Sequence, residues 1–325
     1  MPLIICNLQY LCCFIVFDSI MKTALLSIFM TSFYLFCNAQ IDSTYIQPFD
    51  EKIAVRTFLM KKFIIMAHES DAEGVEESFV PNNPINIGFG LSVKNTVIDF
   101  WYGYGFNFMR DKKRGKTQSL DFQLHNYGRK FVFDLFLQQY KGFYNESNKM
   151  IHPDLQIHQY GVSGQYVFNN ERYSYKAVYN QSEKQVKSAG SFLAGTGLFY
   201  TKIKTKETNI VEIGNYFNNL QLGLSGGYTY TWVIDKKWCL NGSITAGGNL
   251  GFERKSSSER RRLTISPTTL PRVSYGYNAD RWSVNMSFVS NVLFHTLTEE
   301  SEVNLVSGNA NISFIYRFNT LKPFF

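Results

Sequence analysis

The chain has 325 residues, is 45% hydrophobic and carries a formal net charge of +7, with a mean hydropathy of -0.17 and a pI near 9.0. A helical membrane protein is excluded for the body of the chain, and no compact basic-aromatic module points to nucleic acid. The 29 Phe and 20 Tyr suit strands and membrane interfaces better than helices.

Residues 1–39 read as an N-terminal extension plus a signal peptide, with the true start at Met21. Met21-Lys22 opens a basic n-region, residues 23–36 form the apolar stretch, and Cys37-Asn38-Ala39-Gln40 supplies a small-residue cleavage site after Ala39. The apolar stretch is too short for a membrane-spanning helix. Cys6, Cys12, Cys13 and Cys37 lie in this leader and only Cys239 remains, so neither a disulfide nor a cysteine metal site is expected. Residues 40–325 are then expected to be one exported domain.

The remainder alternates apolar and polar residues in long segments, as strands with two unlike faces do. Residues 238–252 are a clear case. Trp238, Leu240, Ile244, Ala246, Leu250 and Phe252 fall on one face, opposite Asn241, Ser243, Thr245, Asn249 and Gly251. Residues 96–108 and 282–295 repeat the pattern. Candidate strands are 53–63, 85–94, 96–108, 117–127, 131–140, 157–168, 172–180, 192–203, 220–233, 238–252, 263–277, 282–295 and 305–318. This predicts an all-β fold, a transmembrane antiparallel up-and-down β-barrel with one lipid face and one lumen face per strand.

Thirteen candidates conflict with the even strand numbers of single-chain barrels. Short links (95, 128–130, 234–237, 278–281) alternate with long ones (68–84, 110–116, 253–262, 296–304). Dropping 157–168 restores this alternation and predicts twelve strands, with 141–171 as one long extracellular excursion. The alternative is that 157–168 spans and another candidate does not. Trp232, Trp238, Tyr277 and Trp282 bracket two successive short turns in the lipid-facing phase, as an interfacial aromatic girdle would.

Arg56, Asp99, Asp121, His125, Asp134, Arg172, Lys176, Arg272 and Arg317 are expected to face the lumen. There they would brace the wall as ion pairs or line a polar constriction. Glu183, Lys184, Gln185, Lys187 and Ser188 crowd a short link, expected at the periplasmic side as a turn or a small plug. Two basic outer loops, 110–116 and 254–262, would lie beside lipid phosphates. The acidic loop Glu69, Asp71, Glu73, Glu76 and Glu77 lacks calcium-loop spacing.

The run Tyr166-Val167-Phe168-Asn169-Asn170-Glu171-Arg172-Tyr173-Ser174-Tyr175, followed by Gln181-Ser182-Glu183-Lys184-Gln185-Val186-Lys187-Ser188-Ala189-Gly190-Ser191, resembles the hallmark of an uncharacterised Bacteroidota family, domain of unknown function 4421. Val55-Arg56 with Lys62, and Asn83-Pro84-Ile85 leading into Gly88-Phe89-Gly90-Leu91, are similar too. The likeness spans most of 45–318; residues 1–20 and the tail 319–325 depart from it. It implies an outer-membrane barrel and supplies no activity and no catalytic residue.

The expected role is therefore a passive, porin-like pore or a structural surface protein. The competing class is a lipid-acting barrel enzyme of lipase or deacylase type, for which no residue spacing fixes a catalytic set. No cofactor or metal is expected. Expected partners are outer-membrane lipid and lipopolysaccharide and the barrel-insertion machinery, with no nucleic acid.

Overall fold

The computed structural model describes residues 41–70, 75–93, 96–102, 110–206, 216–254, 262–298 and 301–319. The strands are β1 (Ile46–Pro48), β2 (Ile53–Ser70), β3 (Val75–Val80), β4 (Asn86–Val93), β5 (Thr96–Tyr102), β6 (Gln118–Tyr127), β7 (Phe131–Asn145), β8 (Ile151–Val167), β9 (Glu183–Gln185), β10 (Ala189–Lys204), β11 (Tyr216–Ile234), β12 (Trp238–Arg254), β13 (Arg262–Thr269), β14 (Arg272–Asn278), β15 (Trp282–Thr298) and β16 (Ser301–Phe318).

All described pairings are antiparallel, and they close. The path runs β2, β3, β7, β8, β10, β11, β12, then β13 and β14 sharing one place, then β15, β16 and back to β2: a ten-strand closed barrel with β4, β5 and β6 outside that path. Closure is made by β2 and β16, which zip from Ile53↔Phe318 to Ser70↔Ser301. A closed ring removes the sheet edges along its own path, the condition for strands surrounded by hydrocarbon; among the described residues β5 pairs with β4 and β6 with β7, off that path. The turns at 128–130, 235–237 and 279–281 lie at the end where β2 begins and β16 finishes, called here the short-turn end.

The wall wears its apolar residues outside. Leu135, Val162, Leu198, Leu222, Leu250 and Ile265 follow one another in register across six strands, all outward-facing. Leu224 is 74% exposed, Ile265 76% and Phe192 69%. The opposite phase is polar and buried: Gln165, Thr229, Asn241, Thr245, Asn249 and Asn285 are all at most 2% exposed. This inverts the arrangement of a water-soluble protein, which rarely shows a contiguous apolar patch beyond a few hundred Å². No second sheet or helix covers the outward residues among the described parts of the chain.

The expected strand set needs four corrections. Residues 157–167 belong to the wall as part of β8, paired along β7 and β10, so 141–171 is not one long excursion; the connection there is only 146–150. The segment that leaves the wall is 172–180. Its alternating Tyr173, Tyr175, Ala177 and Tyr179 imitate a strand, but all four are buried and Lys176–Asn180 forms a π-helical turn. Segments 68–84 and 296–304 are not long loops: β2 with β3, and β15 with β16, continue the ladder there as hairpins. Finally, 263–277 is two strands, divided at Leu270-Pro271, where proline cannot donate to the ladder.

A second proline break shapes the other side. Pro81-Asn82-Asn83-Pro84 separates β3 from β4, which pair different halves of β2. Buried Asn82 donates its side-chain amide to the carbonyls of Asp111 and Gly115, and Asn83 to that of Lys62, replacing the lost ladder bonds. The side chains of 96–102, Asp99 included, and the links at 95 and 103–109 lie outside the described residues, as do the leader, most of loop 254–262 and the tail.

Leu224 is near the middle of β11, which gives a direct check on what surrounds the wall. Leu224→Arg is expected to lower folding stability in lipid vesicles by about 2–4 kcal/mol, the cost of a cation at the bilayer midplane. In urea titrations, a change within about 0.5 kcal/mol, typical of a water-exposed site, would count against a lipid-facing wall.

Candidate functional site: the filled lumen

The barrel interior is occupied in three layers. At the short-turn end the chain between β8 and β10 folds into the lumen as a plug. Tyr173, Tyr175, Val178 and Tyr179 from this plug pack with inward-facing Tyr127, Val132, Val167, Leu193, Cys239 and Val289. Each phenol reaches a polar wall residue: Tyr173 meets Thr229 Oγ1 at 2.7 Å, Tyr175 meets Ser243 Oγ at 2.7 Å, and Tyr179 donates to Asn241 Oδ1 at 3.0 Å. Aromatic bodies thus fill space while their hydroxyls satisfy the wall.

The plug backbone is also claimed by the wall. Arg317 donates to the Gln181 carbonyl at 2.6 Å and to Ser283 Oγ at 2.7 Å, with its guanidinium 3.4 Å from the Phe49 ring centroid. Arg56 donates to the Asn180 carbonyl, Ser274 to that of Val178, and Gln181 to that of Val284. Gln181 turns the chain in the left-handed region at φ 49°. Two arginines at the barrel mouth therefore cap the carbonyls that end the π-helical turn, where the backbone is most in need of donors.

The polar cluster of 183–188 anchors the plug's exit. Glu183 accepts from Arg129 at 2.5 Å and from Ser174. Gln185, 3% exposed, donates to the carbonyls of Arg172 and Lys187. β9 pairs with β1 as a separate two-stranded sheet. Lys184 lies over Phe49 and Lys187 over Tyr45, while Ser188 Oγ accepts from Val233 N at 2.9 Å. The segment is a fastened plug base, not a simple turn.

The middle layer is polar. Asp134 on β7 and Arg272 on β14 form a fully buried bidentate pair across the lumen. His125 Nδ1 lies 2.7 Å from Asp134 Oδ1, Ser163 donates to Oδ2 at 3.3 Å, and Asn309 reaches His125 Nε2 at 3.1 Å. Next to it Asp121 accepts from Gln123, Gln138 and Tyr140, and Lys62 donates to the Asp121 carbonyl. This serine, histidine and acid do not form a relay. Ser163 binds the carboxylate rather than the imidazole, and Arg272 holds the carboxylate's other side. Deeper toward the far end, His295 is 3.1 Å from the side-chain amides of both Asn219 and Gln221.

The third layer is apolar. Ile64, Met66, Phe79, Tyr140, Phe143, Leu155, Ile157, Ile203, Phe217, Val303 and Leu305 converge from seven strands and are at most 3% exposed. Sequence reading missed this layer. Its signal was present as a phase reversal: in 155–157, 203 and 217 the apolar residues switch to the face that is polar lower down.

Of the residues expected in the lumen, Arg56, Asp121, His125, Asp134, Arg272 and Arg317 are on inward-facing strand positions. Arg172 is not: it is half exposed at the short-turn mouth, 3.3 Å from Asp42 and over the Tyr45 ring. Lys176 opens the plug's helical turn. Both were assigned to a strand that does not form. Trp232, Trp238, Tyr277 and Trp282 face outward around the short-turn end, with Trp238, Tyr277 and Trp282 in ring contact and Trp282 stacked on Phe314.

A closed antiparallel β-barrel with an internal plug is the class these features define. The chain belongs to the family described as domain of unknown function DUF4421, whose model matches residues 40–318. No curated protein matches it. Among solved structures it aligns with in-vitro folded OmpT, an outer membrane protein of Vibrio cholerae, at 10% identity and TM-score 0.26, covering 82% of this chain and 98% of that one. It also aligns with Ail, the attachment invasion locus protein of Yersinia pestis, at 9% identity and TM-score 0.23 over 82% and 99%. A third is the P. putida toluene transporter TodX, at 7% identity and TM-score 0.25 over 83% and 91%.

Breaking the central ion pair from one side leaves a buried charge alone. Arg272→Met is expected to cost about 3–5 kcal/mol, whereas the double variant Arg272→Met with Asp134→Leu should recover much of that loss. Equilibrium unfolding of the two single variants and the double one reads the coupling; additive effects would mean that the pair does not brace the wall.

Proposed function

We propose that this chain is an outer-membrane β-barrel that serves as a closed structural or surface protein rather than a standing pore. The observation that carries this reading is the occupancy of the lumen: an aromatic plug, a polar belt and an apolar layer succeed one another along it. A porin-like channel needs a continuous wet path, and an apolar layer drawn from seven strands is poorly suited to one.

The proposed wall has twelve strands. β3 with β4, and β13 with β14, each count as one broken strand, and β5 and β6 are joined edge to edge between β4 and β7. Support comes from the pairing of β4 with β2 and of β6 with β7, which extends the wall from both sides toward β5; twelve, like ten, is an even number and lets both ends meet through β2 and β16. The short-turn end is taken as periplasmic, following the usual division of short turns and longer outer loops. Trp232, Trp238, Tyr277 and Trp282 would then occupy the inner interface. The leader at 1–39 is proposed as a cleaved signal peptide, consistent with export. Insertion machinery and outer-membrane lipid are the proposed partners.

Planar bilayers test the central point. The purified full-length barrel is expected to insert without steady conductance. Reproducible ohmic steps from the unmodified protein would overturn the closed reading in favour of a pore.

A further inference from the structure

Outside the lumen, one stretch of the wall changes character at a definite height. On β8, β10 and β11 the outward face is apolar up to the stacked pair Tyr160–Tyr200 and Leu220 beside it. Above that level the faces exchange polarity. Inward positions become Ile157, Leu155, Ile203 and Phe217, while outward positions become His158, Gln156, Lys202, Lys204, Asn218 and Tyr216.

The register then gathers cations. One row across the wall reads Gln139, His158, Lys202, Asn218, Arg254; the next reads Lys141, Gln156, Lys204, Tyr216. Lys141, Lys204 and Lys206 line a groove of about 400 Å³ together with Gln156 and Tyr216. Among the described residues Asp154 is the one acid lining it, and it is engaged by Thr205 Oγ1 and by the Lys206 backbone amide. Among the described residues none of the four lysines makes an ion pair. Lys202 rests over the Tyr216 ring, and Asn218 donates to the Tyr200 and Tyr216 hydroxyls, which holds the polar floor of the groove in place.

The height identifies the ligand. Along β11 fourteen residues separate Trp232 from Asn218. At about 3.3 Å per residue and a strand tilt of about 40°, that is roughly 35 Å along the barrel axis. The hydrocarbon core is about 30 Å thick, so with Trp232 at one interface the lysine rows fall among the headgroups of the other. Cations lined up there, above an aromatic pair suited to acyl chains, present several charge-assisted donors to phosphate.

We infer that the outer surface of β7, β8, β10 and β11 is a binding site for a phosphorylated glycolipid headgroup of the lipid A type, held by Lys141, Lys202, Lys204 and Lys206 with His158 and Asn218 between them. This rests on the membrane-barrel reading above and adds a specific site to it. It also places the lipid contact on the wall, rather than on the basic loop 110–116.

The test uses the full-length barrel and fluorescent lipid A in detergent micelles. The triple variant Lys141→Gln, Lys202→Gln, Lys204→Gln is expected to bind phosphorylated lipid A at least tenfold more weakly than the unmodified protein. The matching triple Lys→Arg variant should retain binding, as should Lys112→Gln, Lys113→Gln, Lys116→Gln in the loop. Phosphate-free lipid A should bind weakly and equally to all, and millimolar inorganic phosphate should not compete. Equal lipid A binding by the Lys→Gln variant and the unmodified protein overturns the site, as does equal loss in the loop variant. Competition by inorganic phosphate at lipid A concentrations would make it a free-anion site and overturns the lipid assignment. Insertion of each protein into vesicles is measured in parallel: failure of the unmodified barrel to insert refutes the membrane reading, whereas insertion with unchanged binding refutes only the site. All three substituted residues face outward, so a β-rich circular dichroism spectrum in each variant separates loss of binding from loss of fold.

Discussion

The constraint on which everything else depends is where the apolar face of the wall is solvated. Each long strand carries one row of large hydrophobic side chains and one row of amides, hydroxyls and charges, and the ring turns the first row outward. In water such a surface would drive association. In hydrocarbon it is the favourable arrangement, provided that backbone groups find partners within the wall, and the ladder of β2 on β16 supplies them along the closing seam.

Turning the polar row inward creates a second problem, since a narrow barrel then buries many polar atoms. Three solutions share the lumen. Where charges meet, Asp134 and Arg272 neutralise one another with His125 as a further neighbour. Where the wall offers hydroxyls and amides, the plug brings tyrosines whose hydroxyls meet them and whose rings fill the remaining volume. Toward the end opposite the short turns, the inward phase becomes apolar and packs on itself. The plug and the upper layer are thus different answers to filling one tube.

The architecture was legible because period-two alternation survives in every wall strand: one face of 238–252 is hydrocarbon-compatible and the other is not. What misled was alternation without a wall. Tyr173, Tyr175, Ala177 and Tyr179 keep the period, yet their apolar face meets the lumen's interior rather than lipid, and strand patterning alone cannot distinguish those two apolar surroundings. With 172–180 counted as a strand, parity displaces 157–168 from the wall in its place. Strand ends were misjudged for a related reason. Toward the end opposite the short turns the polarity of β11 inverts, so following one apolar phase begins that strand at 220 rather than 216; in 68–84 and 296–304 the acidic residues Glu69, Glu76, Glu77 and Glu302 hide a ladder that continues there. Of the expected lumen residues, Arg56, Asp121, His125, Asp134, Arg272 and Arg317 point inward; Arg172 and Lys176 failed with the strand that carried them.

The most direct measurement of the central claim is the depth of the tryptophans in a bilayer. With a Trp101→Phe barrel inserted in vesicles, tryptophan fluorescence is predicted to be quenched strongly by lipids brominated near the headgroup end of the acyl chain and weakly by aqueous iodide, because the remaining Trp232, Trp238 and Trp282 face outward at the short-turn end. Strong quenching by iodide with no response to any brominated lipid would mean that the outward face meets water, and would contradict the account.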